Sequence, residues 1–123
     1  MTQPELENAL DMIQKSLDER VDIAEPNGIL EKLQALTNLL GLSAECYAWS
    51  EKIYNEKLGE LVMTKEYVKM GATEKKMLFA SLASHEIMLH SKAERLNKGL
   101  THGIDGLRSM ISFLKEEMSK IGA

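Results

Sequence analysis

The chain has 123 residues, of which 44% are hydrophobic and 5% aromatic, and its formal net charge is −4. The length is that of one domain, and the apolar content excludes wholesale disorder. The negative charge is not typical of proteins that bind nucleic acid or a membrane surface. Both prolines, Pro4 and Pro26, lie near the start. Because a β-rich domain would need more turn residues than 27–123 offers, we predict an all-α fold.

The first predicted element is an amphipathic helix from Pro4 to about Ile23. Its apolar residues recur at steps of three and four, and Pro4 suits a first helical turn. Residues 1–25 hold seven acids and two bases. These acids form the solvent-facing side of the helix, or they dock on a basic partner. A turn at 25–28 leads into a short, leucine-dense second helix, 29–40, which we expect to be covered on two sides.

Two long helices are predicted after that point. Gly41 and Ser43 indicate a stop and a restart, with Ser43 as the N-cap of helix three, which runs to about Met70. Gly71-Ala-Thr73 predicts a tight turn. Helix four then covers 74–121, about 48 residues and roughly 72 Å. That exceeds the width of a compact monomer of this size, so helix four either breaks near its glycines or packs its far half on a second chain.

The expected architecture is therefore one helical domain, 1–123. An N-terminal helical arm, 1–41, carries the two shorter helices. Helices three and four form a long antiparallel hairpin, 42–123. We expect this hairpin to assemble into an oligomeric bundle resembling a coiled coil.

The C-terminal run predicts an assembly surface. Its apolar residues repeat with helical spacing, yet three glycines interrupt it, each costing roughly 1 kcal/mol relative to alanine. Gly99 and Gly103 lie four apart, on one face, where a partner helix can approach closely. We predict that this surface makes a homodimer or homotetramer, through Leu96, Gly99, Leu100, Gly103, Ile104, Leu107, Ile111 and Leu114. Four polar residues are expected to set register or to lie in the interface: His85, Asn97, Asp105 and Arg108, the last two as an ion pair.

Sequence motifs for catalysis are absent. His85 and His90 are five apart, whereas the metalloprotease motif HExxH needs its histidines four apart, on one helix face. Glu86, His90 and Glu94 continue as a four-residue ladder through Lys98 and His102, which we interpret as a solvated face. Cys46 is the only cysteine, so it forms no intrachain disulfide, and we interpret it as a small buried side chain. We predict no enzyme activity and no cofactor or metal.

The tract 93–117 resembles the C-terminal signature of a family of small helical phage and prophage proteins. The matching groups are Arg95-Leu-Asn97, Leu100-Thr-His102 and Asp105-Gly-Leu-Arg108, followed by a serine and a Lys-Glu end. Glu45-Cys-Tyr47 and 51–56 are similar to the middle helix of that family. The glycines at 99 and 103 depart from it, since larger residues are commoner there. The resemblance implies a setting near phage recombination or single-strand-annealing genes, and no catalytic residues.

These observations lead to a functional hypothesis. We predict a cytoplasmic, non-enzymatic structural or accessory protein that interacts chiefly with itself, and with no membrane. Another phage protein is a possible partner. The alternative is a nucleic-acid-binding accessory factor in phage recombination or replication, because 65–120 holds ten bases against seven acids. A third option is a small ligand or metal in the bundle, for example in a groove over the glycines beside His102 and Arg108.

Overall fold

The computed structural model describes residues 1–122, and within that range every regular element is a helix. The all-α prediction is confirmed. The helices are α1 (Gln3–Asp18), α2 (Pro26–Asn38), α3 (Leu40–Val62), α4 (Lys65–Val68), α5 (Ala72–Leu82) and α6 (Ser84–Gly122).

Helix α1 begins as its sequence predicts. Thr2 is the N-cap, its side chain accepts from the backbone N–H of Glu5, and the Glu5 carboxylate accepts from the N–H of Thr2. This reciprocal pair satisfies two N–H groups that the first turn leaves unbonded. The helix ends at Asp18, earlier than the predicted Ile23. Lys32 of α2 donates to the carbonyl oxygens of Leu17 and Glu19 there, which satisfies the C-terminal end of α1.

Helices α2 and α3 are separated by a single residue, Leu39. Its backbone stays right-handed (φ −86°, ψ −10°), and the N–H of Ser43 bonds to the Leu39 carbonyl at 2.8 Å. The predicted break at Gly41 is therefore wrong, because Gly41 lies inside α3. Ser43 is not an N-cap either, since its side chain is buried and accepts a hydrogen bond from Asn97 of α6.

The predicted helix three is too long. It ends at Val62 because Thr64 competes for the backbone: the hydroxyl of Thr64 donates to the Leu61 carbonyl at 2.7 Å and accepts from the N–H of Tyr67. The one-turn helix α4 follows. Gly71 is the N-cap of α5 with φ −72°, so it is not the predicted C-terminal cap, and Thr73 lies within α5.

The predicted helix four is broken, but not at its glycines. The break is at Ala83 (φ −111°, ψ 21°), which is fully buried. Helix α6 then runs without interruption through Gly99, Gly103 and Gly106 for about 58 Å. The expectation of a break at the glycines is wrong because neighbouring helices pack directly on two of them.

Helix α6 is the longest helix, and α1, α2, α3 and α5 all pack on it. Contacts between α1 and α6 follow the same chain order, from Glu7 with His85 to Asp11 with Lys92 and Leu17 over Gly99. This order makes α1 parallel to α6.

Contacts of α3 run in the reverse order. Ser43 meets Asn97, Tyr47 meets His90, and Tyr54 meets both His90 and Phe79 of α5. Helix α2 extends this line, with Leu36 over Gly103. One half of α6 is therefore enclosed by α1 and α3, whereas α2 alone follows it further. The core consists of Leu6, Leu10, Ile13, Ile29, Leu36, Cys46, Leu89, Ala93, Leu96, Leu100, Ile104 and Leu107.

Candidate functional site

Half of the predicted assembly surface lies in the chain's own core. The leucine and isoleucine side chains of its first three turns are at most 7% exposed: Leu96, Leu100, Ile104 and Leu107. They belong to one cluster with apolar residues of α1, α2 and α3. Our assignment of these four residues to an interface between chains is therefore corrected. The periodicity identified a buried stripe, but segments 3–18 and 26–38 fold back and cover it.

The two glycines of that surface admit the chain's own helices. A Cβ atom on Gly99 would lie 3.3 Å from Leu17 Cδ1, and one on Gly103 would lie 3.3 Å from Leu36 Cδ1 and 3.6 Å from Leu17 Cδ2. The two distances of 3.3 Å are short for van der Waals contact, whereas 3.6 Å is an ordinary one. The predicted close approach occurs, but α1 and α2 make it, so the correction extends to Gly99 and Gly103.

The far end of the stripe emerges from the core. Ile111 and Leu114 are half-buried and pack against the core cluster. Neighbouring apolar side chains on the other faces of this end of α6 are more exposed: Met110 is 40% exposed, Phe113 61%, Met118 67% and Ile121 84%. None of these four side chains belongs to the predicted surface, so this exposed part of α6 was missed by the sequence analysis.

The exposure of these side chains follows from how far α1 extends along one face of α6. The residues of α6 that meet α1 are His85, Lys92, Gly99 and Gly103, spaced by helical repeats. The same face continues at steps of three and four as Gly106, Met110, Phe113, Glu117 and Ile121. Helix α1 ends at Asp18, whose neighbour Leu17 lies over Gly99 and Gly103, so it does not reach this continuation. We call Gly106, Met110, Phe113 and Ile121 the open row.

A cleft marks the beginning of the open row. It has a volume of about 250 Å³ and lies where α1 stops, between α2 and α6. Its lining is mostly apolar and consists of Leu17, Lys32, Leu36, Gly103, Gly106, Leu107 and Met110. A Cβ on Gly106 would meet nothing within 4 Å, in contrast to Gly99 and Gly103. The groove that α1 fills is thus empty from Gly106 onward.

Two of the four predicted polar residues join helices within the chain. The Asn97 side-chain amide donates to Ser43 Oγ at 3.1 Å, and Ser43 is 1% exposed. His85 Nε2 lies 2.7 Å from a carboxylate oxygen of Glu7. His85 therefore lies on the α1 face of α6, with a side chain that is 47% exposed, and its contact is within the chain.

The other two polar residues, Asp105 and Arg108, are exposed, and the described side chains show no ion pair between them. Their expected pairing is therefore corrected. The hydroxyl of Ser109 instead donates to the backbone carbonyl of Asp105 at 3.0 Å. Neither side chain sets the position of another helix in the described chain.

His90 is the residue that sequence reasoning placed worst. It was assigned to a solvated face, but its ring lies between Tyr47 and Tyr54, with both centroid distances 5.3 Å. The Tyr54 ring also meets Phe79 edge-on at 5.1 Å. His90 Nε2 is buried and has no hydrogen-bond partner among the described residues. The available signal was the seven-residue spacing of Tyr47 and Tyr54, which puts both rings on one face of α3.

The remainder of the predicted ladder is in solvent. Lys98 donates to the Glu94 carboxylate at 3.0 Å, and this bond, together with the charge of Lys98, holds the pKa of Glu94 below its usual value. Several bases of α6 face carboxylates in this way, Lys92 with Asp11 and Lys120 with Glu117 among them. Such pairing leaves less uncompensated positive charge for phosphates than the count of bases suggests.

Other chemistry is limited in the described part of the chain. No group of three or more histidine, cysteine or acidic side chains there is arranged to hold a metal ion. None of the described helices is long and apolar enough to cross a membrane. Cys46 is buried, and burial, with a smaller contribution from the Glu45 charge, raises the pKa of its thiol.

Comparison with known proteins gives no further assignment: no protein-family model, no curated protein and no solved structure matches the chain. The geometry therefore carries the functional argument by itself. The open row is the feature of the described residues from which a function can be proposed.

Proposed function

We propose that the protein is a non-enzymatic structural or accessory interaction protein that acts as a helical homo-oligomer, a homodimer or homotetramer. The observation that supports this proposal is the open row. Three large apolar side chains extend along one face of α6, beyond the helix that covers that face nearer its beginning. Clustered apolar exposure of this kind is typical of interaction surfaces.

The arrangement of helices supports the same proposal. We propose that α3 and α6 act as an antiparallel hairpin. The last turns of α6 extend beyond the end of α1, so that only α2 packs beside them, and α2 and α6 form an incomplete, two-helix end. A two-helix layer buries less of its apolar surface than a bundle of three or four helices does. Pairing two such ends gives a four-helix bundle.

We further propose that the protein belongs to a phage or prophage setting. Support comes from the resemblance of its C-terminal third to small helical phage proteins, in particular Arg95-Leu-Asn97 and Leu100-Thr-His102. Leu96 and Leu100 lie in the core and Asn97 bonds Ser43, so part of this signature has a structural role.

Sedimentation of the full chain tests the proposal. We expect a mass of two or four times the 13.8 kDa of one chain at micromolar concentration. Replacing Phe113 with glutamate places a charge in the middle of the open row, and it should raise the dissociation constant at least about tenfold. The matched control is Met77→Glu on α5, since Met77 is 68% exposed and lies outside the open row.

The control variant should associate as the unchanged protein does. Circular dichroism would verify that both variants keep their helices. A purely monomeric wild-type chain at 100 µM, a concentration on the order of weak-dimer affinities, would contradict the proposal.

A further inference from the structure

We infer that the open row takes the open row of a second copy, in antiparallel orientation, about a twofold axis beside Phe113. This inference rests on the proposed self-association and adds the identity of the receiving surface and its direction. The occupant is a helix, because the chain itself shows that this face of α6 accepts one. Helix α1 lies along it as far as Gly103 and then ends.

In this pairing three of the four residues of the open row meet the open row of the second copy, and Met110 meets Glu117 of the second copy. Gly106 lies seven residues before Phe113, and Ile121 lies eight residues after it. An antiparallel pairing centred beside Phe113 therefore places Ile121 of the second copy over Gly106, and the reciprocal contact forms at the same time. Gly106 has open space where a Cβ would be, and Ile121 is 84% exposed. Each Ile121 side chain thus packs over Gly106 of the other copy, and the two Phe113 rings meet at the axis.

The bulk of the protein decides between the two orientations. Packed helices have axes 8–10 Å apart, and a bundle of three is at least about 20 Å wide. In a parallel pairing, the α1–α3–α6 bundles of both copies would lie at the same end, and they would force the two α6 axes apart. In the antiparallel pairing, these bundles lie at opposite ends, so the helix ends can approach to contact distance.

Charge favours the same orientation. The last residue of α1 and the segment after it are acidic, with Asp18, Glu19 and Asp22 against Arg20, and Lys32 bonds backbone carbonyls there. In the antiparallel pairing Lys120, in the last turn of the second α6, approaches this acidic end and can exchange its exposed 3.7 Å contact with Glu117 for it. In a parallel pairing Lys120 would lie far from it. Opposite charges at these two ends therefore support a reciprocal, antiparallel contact.

Disulfide trapping with single added cysteines tests the orientation. The wild-type chain is the background, since Cys46 is fully buried and free. A disulfide needs Cβ atoms about 4 Å apart, so it forms only where two copies of one residue meet at the axis. We expect Phe113→Cys to give a covalent dimer under mild oxidation. Met110→Cys should not, because its copies lie on the order of 10 Å apart along the helices.

A mixed experiment tests the reciprocal contact. Gly106→Cys and Ile121→Cys should each remain uncrosslinked alone but should form a covalent heterodimer when mixed. Ser112→Cys, on the opposite face of α6, is the matched control that should not crosslink. All variants would be examined by circular dichroism before oxidation, so that a misfolded chain is not scored.

The outcomes separate this inference from the proposed function. If Met110→Cys and Ile121→Cys, each tested by itself, both give covalent dimers, the pairing is parallel. That result would overturn the inference while keeping self-association. Dimers that do not crosslink through Phe113→Cys would use another surface, with the same consequence. A monomer in sedimentation would overturn both.

Discussion

His90 shows how a residue on a polar stripe becomes an internal one. The ring lies tilted between two tyrosines of α3, and the Nε2 atom has no hydrogen-bond partner among residues 1–122. A buried nitrogen in that condition has lost its water without gaining a hydrogen bond, which costs about 1–3 kcal/mol. The aromatic contacts offset that cost, because ring pairs at 5–6 Å are worth roughly 0.5–1.5 kcal/mol each.

Replacing His90 separates these two effects. We expect His90→Phe to raise the free energy of unfolding by about 1 kcal/mol, since the ring contacts remain and the unpaired nitrogen is removed. His90→Ala should lower it by about 2–4 kcal/mol, because a cavity opens between the tyrosines. Urea denaturation followed by circular dichroism measures both.

The control for this pair is His102→Phe, on the exposed side of the same helix. Its effect should stay within roughly 0.5 kcal/mol, as surface substitutions usually do. A His90→Phe variant that is clearly less stable than the wild type would show that Nε2 makes a stabilising contact.

At the scale of the helix, glycines in α6 are explained by the neighbours that lie over them. Each glycine weakens the helix by about 1 kcal/mol relative to alanine. At Gly103 that cost is offset, since two leucine side chains of α1 and α2 pack where a Cβ would be. Continuity of α6 therefore depends on both N-terminal helices.

A series of glycine-to-alanine variants tests this explanation. Gly59→Ala should stabilise the chain by about 0.5–1 kcal/mol, because nothing lies within 4 Å of its Cβ position. Gly99→Ala should gain less, since it meets only Leu17, which is half-buried and can move. Gly103→Ala should destabilise by about 1 kcal/mol, because Leu36 is 1% exposed and cannot withdraw.

The measurement is again chemical denaturation, with Gly59→Ala as the internal standard for helix propensity. Equal gains at all three positions would mean that the leucines give way freely. In that case close approach would not explain the glycines.

The helices themselves were predictable from sequence, but their ends were not. Apolar residues at steps of three and four located α1, α2, α3 and α6. The breaks at Leu39 and Ala83 carry no propensity signal, because both residues are good helix formers and the breaks arise from tertiary packing. Gly41 and Gly71 suggested caps, but the described glycines all have negative φ, so that signal was misleading.

The open row was not predicted, because none of its four residues is in the predicted assembly surface. Periodicity indicates that Leu96 and Leu107 are buried, but it does not indicate which helix buries them. Only the fold shows that α1 and α2 cover the stripe up to Leu107 and leave the open row beyond it. The sandwich around His90 likewise needs residues of α3 that lie more than 35 positions away.

At the scale of the whole molecule, Cys46 reports on global opening. Its thiol is buried in the core cluster, and burial raises its pKa, so the reactive thiolate is scarce at neutral pH. Because the folded chain holds the thiol protonated, stability should fall as pH rises above the ordinary cysteine pKa. Reaction with a thiol reagent then requires the core to open.

We expect Cys46 in the folded chain to react at least about 100-fold more slowly than in the unfolded chain at pH 8. The rate should rise with urea, with the same dependence as global unfolding. Ser112→Cys, an exposed position on the face of α6 opposite the open row, supplies the control thiol, which should react at once. Fast reaction of Cys46 without urea would indicate that α3 separates locally from α6.

The parallel docking of α1 on α6 has a consequence for the order in which the chain folds. Asp11 and Lys92, which pair at 2.7 Å, are 81 residues apart. During synthesis α1 is therefore complete long before α6, on which it packs, has been made. Until then its apolar residues Leu6, Leu10 and Ile13 lack their contacts with α6. Contacts of such long range slow folding. Closure of the core therefore needs α6, and a chain stopped before Ser84 leaves α1 with only α2 and α3 to pack against.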